Sequence, residues 1–421
     1  MDVTSEKEKP KIAYVICGGT IFSEWTPEGR RPVTSGEELL QKYLPRLSRE
    51  ADVATREIWR LDSTDMHYPE YRKVAEEVCK FVKDGYAPVD AQGTDSMTYG
   101  AAFLVSRIPF KRVPFVIAGS MHSIGEEDSD ALPNLEAATM VAMRKDFPGT
   151  YVCVNEGEIH RAARSVKVKP NEPRETEGVV STVPVKRSFS SGHYPVIGGV
   201  VDGEFEYASD GERVQKRFVE RQERRLDYFR PLFDEFGEPL FLPHYENVFV
   251  IDLHPNFQPE ILDAAFKDNY RAVLIKAPGT GGIPNSPRHM ALIPKIEKWV
   301  KDGRSVVIAP KITHAIVDDE YEVNRRSIEA GAVITYDMHA DFALAKAELA
   351  AGLAQTPAEF KKLLYYNFED EIDERLIPES ERTSDAEVFA ILKKVLGRKN
   401  GNGTFLDRLR NKVPWAWQKG A

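Results

Sequence analysis

Ile12-Ala13-Tyr14-Val15-Ile16-Cys17-Gly18-Gly19-Thr20-Ile21 is the stretch whose reading decides the fold class. Its apolar residues follow one another without polar interruption, the pattern of a strand covered by helices on both faces. Two glycines then end the run, and a threonine follows them. Further along, Gln92-Gly93-Thr94-Asp95-Ser96-Met97 repeats the glycine-threonine arrangement ahead of another helix-like stretch. In an open α/β sheet, ligands bind in the crevice beyond the carboxyl ends of the strands. Glycine at such an end lets the backbone approach a ligand closely. Two threonine hydroxyls, one with an aspartate beside it, suit nucleophilic attack better than the cradling of a nucleotide. The pair points to amide cleavage.

Outward from these turns, short β-branched runs predict strands over 11–17, 113–118, 151–154, 248–253, 272–276, 305–309 and 332–335. Between them, residues 70–82 place Val74, Val78 and Phe81 at helical spacing, and 130–144 and 289–300 read the same way. Such alternation predicts α/β architecture with mostly parallel sheets. The pattern breaks from 170 to 245, where Pro170, Pro173 and Gly198-Gly199 precede a charged helical piece over 212–227. Regularity returns at Val248. The expected organisation is therefore a larger unit over 1–200, a charged interdomain linker over 201–245, a smaller unit over 246–372 and a C-terminal extension over 373–421. The extension carries an amphipathic helix (Val388, Ile391, Leu392, Val395), then a basic stretch with Arg408, Arg410 and Lys412 that runs into Trp415 and Trp417. A docking helix with a frayed end and contact with a neighbouring subunit fit this segment about equally, since exposed tryptophans are unusual without a partner.

Composition narrows the class. Of the 421 residues 42% are hydrophobic and 29% charged, the balance of a soluble globular protein. A net charge of −9 argues against a general nucleic-acid binder. No apolar run is long enough to span a membrane, and the charged first residues lack the apolar core of a secretory signal, so a cytoplasmic location is expected. Cys17, Cys79 and Cys153 are widely spaced and odd in number, which suits reduced thiols better than disulfides or zinc ligands. The histidines show no metal-ligand spacing, His122 and His314 read as structural, and no phosphate-binding loop or dinucleotide fingerprint occurs. No metal and no cofactor is expected.

Several motifs together resemble the bacterial-type asparaginase family, which includes cytoplasmic type I asparaginases and the glutaminase subunit of archaeal glutamyl-tRNA(Gln) amidotransferase. The family's first signature, Thr-Gly-Gly-Thr-Ile, stands here as Cys17-Gly18-Gly19-Thr20-Ile21, and its second, Gly-Thr-Asp-Thr-Met, as Gly93-Thr94-Asp95-Ser96-Met97. Between them Asp62-Ser63-Thr64-Asp65-Met66 is similar to the substrate loop. Ala118-Gly119-Ser120-Met121, with Ser129-Asp130-Ala131 and Asn134, resembles the loop after the next strand, and Gly279 to Pro284 resembles a C-terminal motif. The resemblance implies a two-domain α/β fold with larger N-terminal and smaller C-terminal parallel-sheet domains. It implies hydrolysis of a side-chain amide, foremost L-asparagine to L-aspartate and ammonia. Thr20 takes the role of nucleophile, while Thr94, Asp95 and a lysine handle protons. Lys167 is that lysine by count from Asn155, with Lys169 as competitor and a solvated basic strand as the plainer account. Ser63, Thr64 and Asp95 are expected to bind substrate. A homodimer or homotetramer acting on a small-molecule amide is implied, with nucleic acid involved only indirectly if the chain serves a tRNA amidotransferase.

Two departures matter. The loop Phe22-Ser23-Glu24-Trp25-Thr26-Pro27-Glu28-Gly29-Arg30-Arg31-Pro32 lacks the tyrosine that relatives use to activate the first threonine, and Arg30 falls in its slot. Arginine stays protonated and cannot serve as a base. Gly282 falls where some relatives place an asparagine. Reduced activity, a larger or more acidic substrate bound through Arg30 or Arg31, and a non-catalytic binding protein that keeps the fold all fit these departures. The short segment ahead of the first strand favours a free-standing amidohydrolase over a transamidase component.

Overall fold

The computed structural model describes residues 9–27, 29–31, 35–176, 179–243, 247–286 and 290–397. The basic stretch with Arg408, Arg410, Lys412, Trp415 and Trp417 lies outside them, as do Glu28, Pro32 and His289. Two sheets organise the rest. In the larger, eight-stranded one, five strands run parallel in the spatial order Asp52–Leu61, Lys11–Gly18, Ala87–Ala91, Pro114–Ala118, Gly149–Val154. Three antiparallel strands, Glu158–Arg161, Gly198–Val201 and Glu204–Tyr207, complete it. The second sheet has four parallel strands, Val248–Asp252, Ala272–Ala277, Ser305–Pro310 and Val333–Ile334. The α/β expectation with a larger N-terminal and a smaller C-terminal sheet therefore holds.

The order of the parallel strands fixes where a ligand can go. From Lys11–Gly18 the chain crosses to Asp52–Leu61 on one side, then returns to Ala87–Ala91 on the other. Strand order reverses between those two crossings, and the crevice at such a reversal is the binding position of doubly wound sheets. Both glycine-threonine turns leave the carboxyl ends of the strands that flank it.

Two of these strands are not evident from the sequence pattern. Ala87–Ala91 is wholly buried yet contains Pro88 and Asp90, which mask its strand character. Asp52–Leu61 is a half-exposed edge strand whose charged residues break up the apolar pattern. Conversely, the helix Tyr68–Lys83 matches the expected periodicity and packs Val74, Ala75 and Val78 inward.

The linker expectation needs correction. The large sheet does not stop at residue 200: Gly198–Val201 and Glu204–Tyr207 form a hairpin on its edge. Asp202 and Gly203 turn it with positive φ of 49° and 80°, the geometry of a two-residue hairpin for which Asp-Gly is the strongest short signal. The helix Gly211–Tyr228 then buries Val214, Phe218 and Leu226. This segment is integral to the fold rather than a tether.

Nor is the region after 372 a detached appendage. Ile372, Ile377, Val388, Ile391, Leu392 and Val395 share one core with the helices Met97–Arg107 and Ala340–Leu353. The last of these helices is rich in alanine and buried nearly all round, as expected for a helix between two layers. Three consecutive buried acids pin the chain that follows it. Lys111 pairs with Glu369 at 2.6 Å, Arg221 with Asp370 at 2.5 Å and Lys346 with Glu371 at 2.5 Å. Burial pushes the Asp370 carboxyl up, but Arg221 and Arg161 outweigh it and hold it down at about 2. Breaking one such pair strands a charge in the interior, at a cost of about 3–5 kcal/mol.

Candidate active site

The two turns are pressed against each other. Gly19 has φ 82°, and a Cβ on it would sit 2.2 Å from the Gly93 Cα. Side chains are excluded there twice over, by conformation and by space. On its other side Gly93 meets Ser63, where an added Cβ would lie 2.6 Å from the serine Cβ. Three segments far apart in sequence thus converge: the end of the first strand, the turn Ser63–Asp65 and the turn after Ala87–Ala91.

Hydrogen bonds tie the second and third segments together. The Asp95 N–H donates to Ser63 Oγ at 3.1 Å, and the Ser96 hydroxyl donates to the Ser63 carbonyl at 2.6 Å. From the helix Tyr68–Lys83, the Tyr71 hydroxyl donates to the Ser96 carbonyl and hydroxyl at 3.0 and 2.5 Å. Ser63 accepts through its oxygen here, so its own hydroxyl proton remains available to a ligand.

Lys167, carried by the short strand Val166–Lys167, reaches this cluster. Its ammonium donates to Thr94 Oγ1 at 2.8 Å and to Asp95 Oδ1 at 2.6 Å. Phe189–Ser190 pairs with that strand and holds its position. Lys169, two residues on, instead binds Glu172 at the surface at 2.7 Å. Of the two lysines, Lys167 joins the two turn residues and Lys169 does not. Lys167 is largely buried, with 12% of its side chain exposed, whereas Asp95 keeps 55% open to solvent.

The other expected residues fall around this group with different degrees of engagement. Thr20 opens the short turn Thr20–Phe22 and is partly exposed, and among the described residues nothing hydrogen-bonds its hydroxyl. Thr64 is exposed, and its hydroxyl donates to Asp62 Oδ1 at 2.8 Å, which places it on the rim rather than in the Thr94–Lys167 group. The loop after Thr20 forms a small ribbon, Glu24–Thr26 against Gly29–Arg31, with the backbone of Arg30 opposite Trp25. Gly282 lies beside Asn324, whose Nδ2 donates to the Thr280 carbonyl at 2.9 Å.

Beneath the turns lies a buried polar contact that no sequence motif announces. The Cys17 thiol, just ahead of Gly18, donates to Asp90 Oδ1 at 3.4 Å. Burial raises the Asp90 carboxyl from its ordinary 3.8 to about 7, and the Cys17 thiol is also pushed well up, by burial first and by Asp90 second. Asp130 and Asn134 also gain a structural explanation. Asp130 accepts from the backbone N–H groups of Met121 (3.1 and 3.0 Å) and His122 (2.9 Å), and Asn134 donates to the Gly119 carbonyl at 2.8 Å. Together they shape the loop that brings Met121 to Thr94. His122 is bound to Glu126 at 3.0 Å, in keeping with a structural histidine. Among the described residues no group of side chains has the makings of a metal site, and no helix is long and apolar enough to cross a membrane.

Comparison with known proteins places this geometry. Residues 11–181 match the asparaginase N-terminal domain and residues 247–364 the glutaminase/asparaginase C-terminal domain. An L-asparaginase of Thermococcus kodakarensis is 30% identical over 363 residues, covering 86% of this chain and 99% of that protein. The structure of the thermostable L-asparaginase from the same organism superposes with a TM-score of 0.69 at 29% identity, over 86% of this chain and 99% of that one. A component of the glutamyl-tRNA(Gln) amidotransferase of Pyrococcus abyssi is 26% identical over 377 residues, covering 86% of this chain and 77% of that protein. The chain belongs to the asparaginase family of amidohydrolases.

Proposed function

We propose that this protein hydrolyses L-asparagine to L-aspartate and ammonia, with Thr20 as the nucleophile. The observation that carries the reading is the Lys167 bridge between Thr94 Oγ1 and Asp95 Oδ1, on a turn packed against the glycine that precedes Thr20. In this reading the Thr20 oxygen adds to the amide carbon and the tetrahedral adduct collapses with loss of ammonia. The Thr20 hydroxyl proton, given up as its oxygen adds, is relayed through Thr94 and Lys167 to the leaving nitrogen. Water then attacks the resulting ester, releases aspartate and returns the proton to Thr20, so one amide and one water yield one acid and one ammonia. Asp95 pairs with the substrate ammonium through its exposed carboxylate, and the free proton of Ser63 binds the substrate carboxylate. Similarity to the Thermococcus kodakarensis L-asparaginase along nearly all of that protein supports the choice of substrate.

The test is ammonia release from asparagine, glutamine and a peptidyl amide. Turnover of asparagine above the other two is expected. Cleavage of glutamine alone would instead favour an ammonia-generating component of a tRNA-dependent amidotransferase, in keeping with the similarity to the Pyrococcus abyssi protein. We further infer a cytoplasmic homodimer or homotetramer, and a fully active monomer in sedimentation equilibrium would sink the oligomeric part.

A further inference from the structure

We propose that Met121 is a positioning residue for the Thr94 hydroxyl: its thioether is the parking place of the proton that Thr94 must hand to Lys167. The inference rests on the functional reading above, in which Thr94 and Lys167 share the proton relay. Thr94 is almost completely buried, at 4% exposure. Its methyl group faces Gly119, where an added Cβ would lie 3.0 Å from Thr94 Cγ2. Its oxygen therefore has a restricted set of neighbours. The Lys167 ammonium, 2.8 Å away, has three protons and no lone pair, so toward Lys167 the threonine can only accept. The hydroxyl proton must point elsewhere, and it points to Met121 Sδ, 3.6 Å from Thr94 Oγ1.

A thioether is a weak acceptor, and that weakness is the useful property. It gives the proton a direction while holding it loosely. Once Lys167 has released a proton and offers a lone pair, the hydroxyl must rotate from sulfur to nitrogen. A strong acceptor at position 121 opposes that rotation. An alkyl group there leaves the hydroxyl no partner but the amine and favours the arrangement with its proton turned toward nitrogen. The main chain that carries Met121 is held by the Asp130 carboxylate, which accepts from the Met121 and His122 N–H groups, and by Asn134, which donates to the Gly119 carbonyl. Asp95 is the carboxylate bonded to Lys167.

The two alternatives can be built as Met121→Leu, which conserves volume, and Met121→Gln, which supplies a strong amide acceptor. Each is expected to lower kcat by roughly tenfold or less, the worth of one ordinary hydrogen bond, with KM for asparagine little changed. The decisive readout is the pH dependence of kcat, which a purely structural role leaves in place. Its acid limb should move to lower pH in Met121→Leu and to higher pH in Met121→Gln. Melting curves by circular dichroism check that both variants fold, and if one does not, the direction of the other's shift still decides. An active wild-type enzyme whose limb stays put in the variants, or moves the same way in both, overturns the role of Met121 alone. A wild-type protein that releases no ammonia from asparagine, glutamine or a peptidyl amide overturns the functional reading and this proposal with it.

Discussion

Thr94 and Thr20 close two turns of similar sequence, yet their hydroxyls live in different surroundings. Thr94 is buried, takes a hydrogen bond from Lys167 and gives one to Met121. Thr20 is partly exposed, and none of the described residues hydrogen-bonds its hydroxyl. Rigid packing accounts for the contrast. Thr94 sits where the second turn, the Ser63 turn and the loop held by Asp130 meet, whereas Thr20 opens the short turn Thr20–Phe22 and is partly exposed. The difference fits the proposed division of labour, in which a preorganised hydroxyl serves proton transfer and an unengaged one meets the substrate carbon.

Removing either hydroxyl is the harshest test of that division. Thr20→Ala and Thr94→Val should each lower amide hydrolysis by about a thousandfold or more while melting as the wild type does. Groups that act as one unit give non-additive losses, so the double variant should be hardly worse than either single one. Multiplicative losses in steady-state kinetics would show that the two threonines serve independent steps.

The next test separates the two lysines. Lys167→Met removes the donor shared by Thr94 and Asp95, and a drop in kcat of about 10²–10⁴-fold is expected for loss of a positioned proton carrier. Lys169→Met removes only a surface pair with Glu172, and such pairs contribute about 0–1 kcal/mol, so activity should be unchanged. Comparable losses in both variants would mean that the basic strand acts through its overall charge and not through one ammonium.

How far the site can be read from sequence follows the same contrast. The candidates Thr20, Ser63, Thr94 and Asp95 are legible because each lies in a short motif at a strand end. Lys167 is legible only to within two residues, since a basic strand offers several ammonium groups and only folding selects among them. The Met121 contact is not legible at all: methionine in a loop carries no signal of what its sulfur faces. The fold shows the same limit. Continuous apolar runs such as 272–276 announce their strands, whereas Ala87–Ala91 hides behind Pro88 and Asp90. The edge hairpin hides in a stretch that reads as a linker, although Asp202-Gly203 marks its turn.

A milder change tests the freedom of Thr20. Arg30 lies on the ribbon that follows it, with its backbone paired to Trp25, in the slot that the family resemblance gives to a tyrosine. Arg30→Tyr supplies a phenol that can take the Thr20 proton, and kcat for asparagine should rise a few-fold, since one well-placed hydrogen bond is worth about 1 kcal/mol. A wild-type enzyme already efficient on asparagine and slowed by the substitution would show that the activating group comes from another element.

The smallest expected effect leaves catalysis aside and concerns the layer beneath both turns. Cys17 and Asp90 belong to the two strands that carry them, and Asp90 is held near 7 by burial against an ordinary 3.8. Between those values the folded chain keeps a proton that the unfolded chain has lost, so stability falls as pH rises from about 4 to about 7. The swing is at most about 4 kcal/mol for a carboxyl displaced that far. Asp90→Asn removes the titration while keeping the shape. The melting-temperature difference between variant and wild type should therefore change in the variant's favour across that interval, whatever constant offset the amide introduces. A difference that stays flat from pH 4 to 8 would mean that Asp90 ionises without penalty, and that the floor shared by the two turns is wetter than its burial indicates.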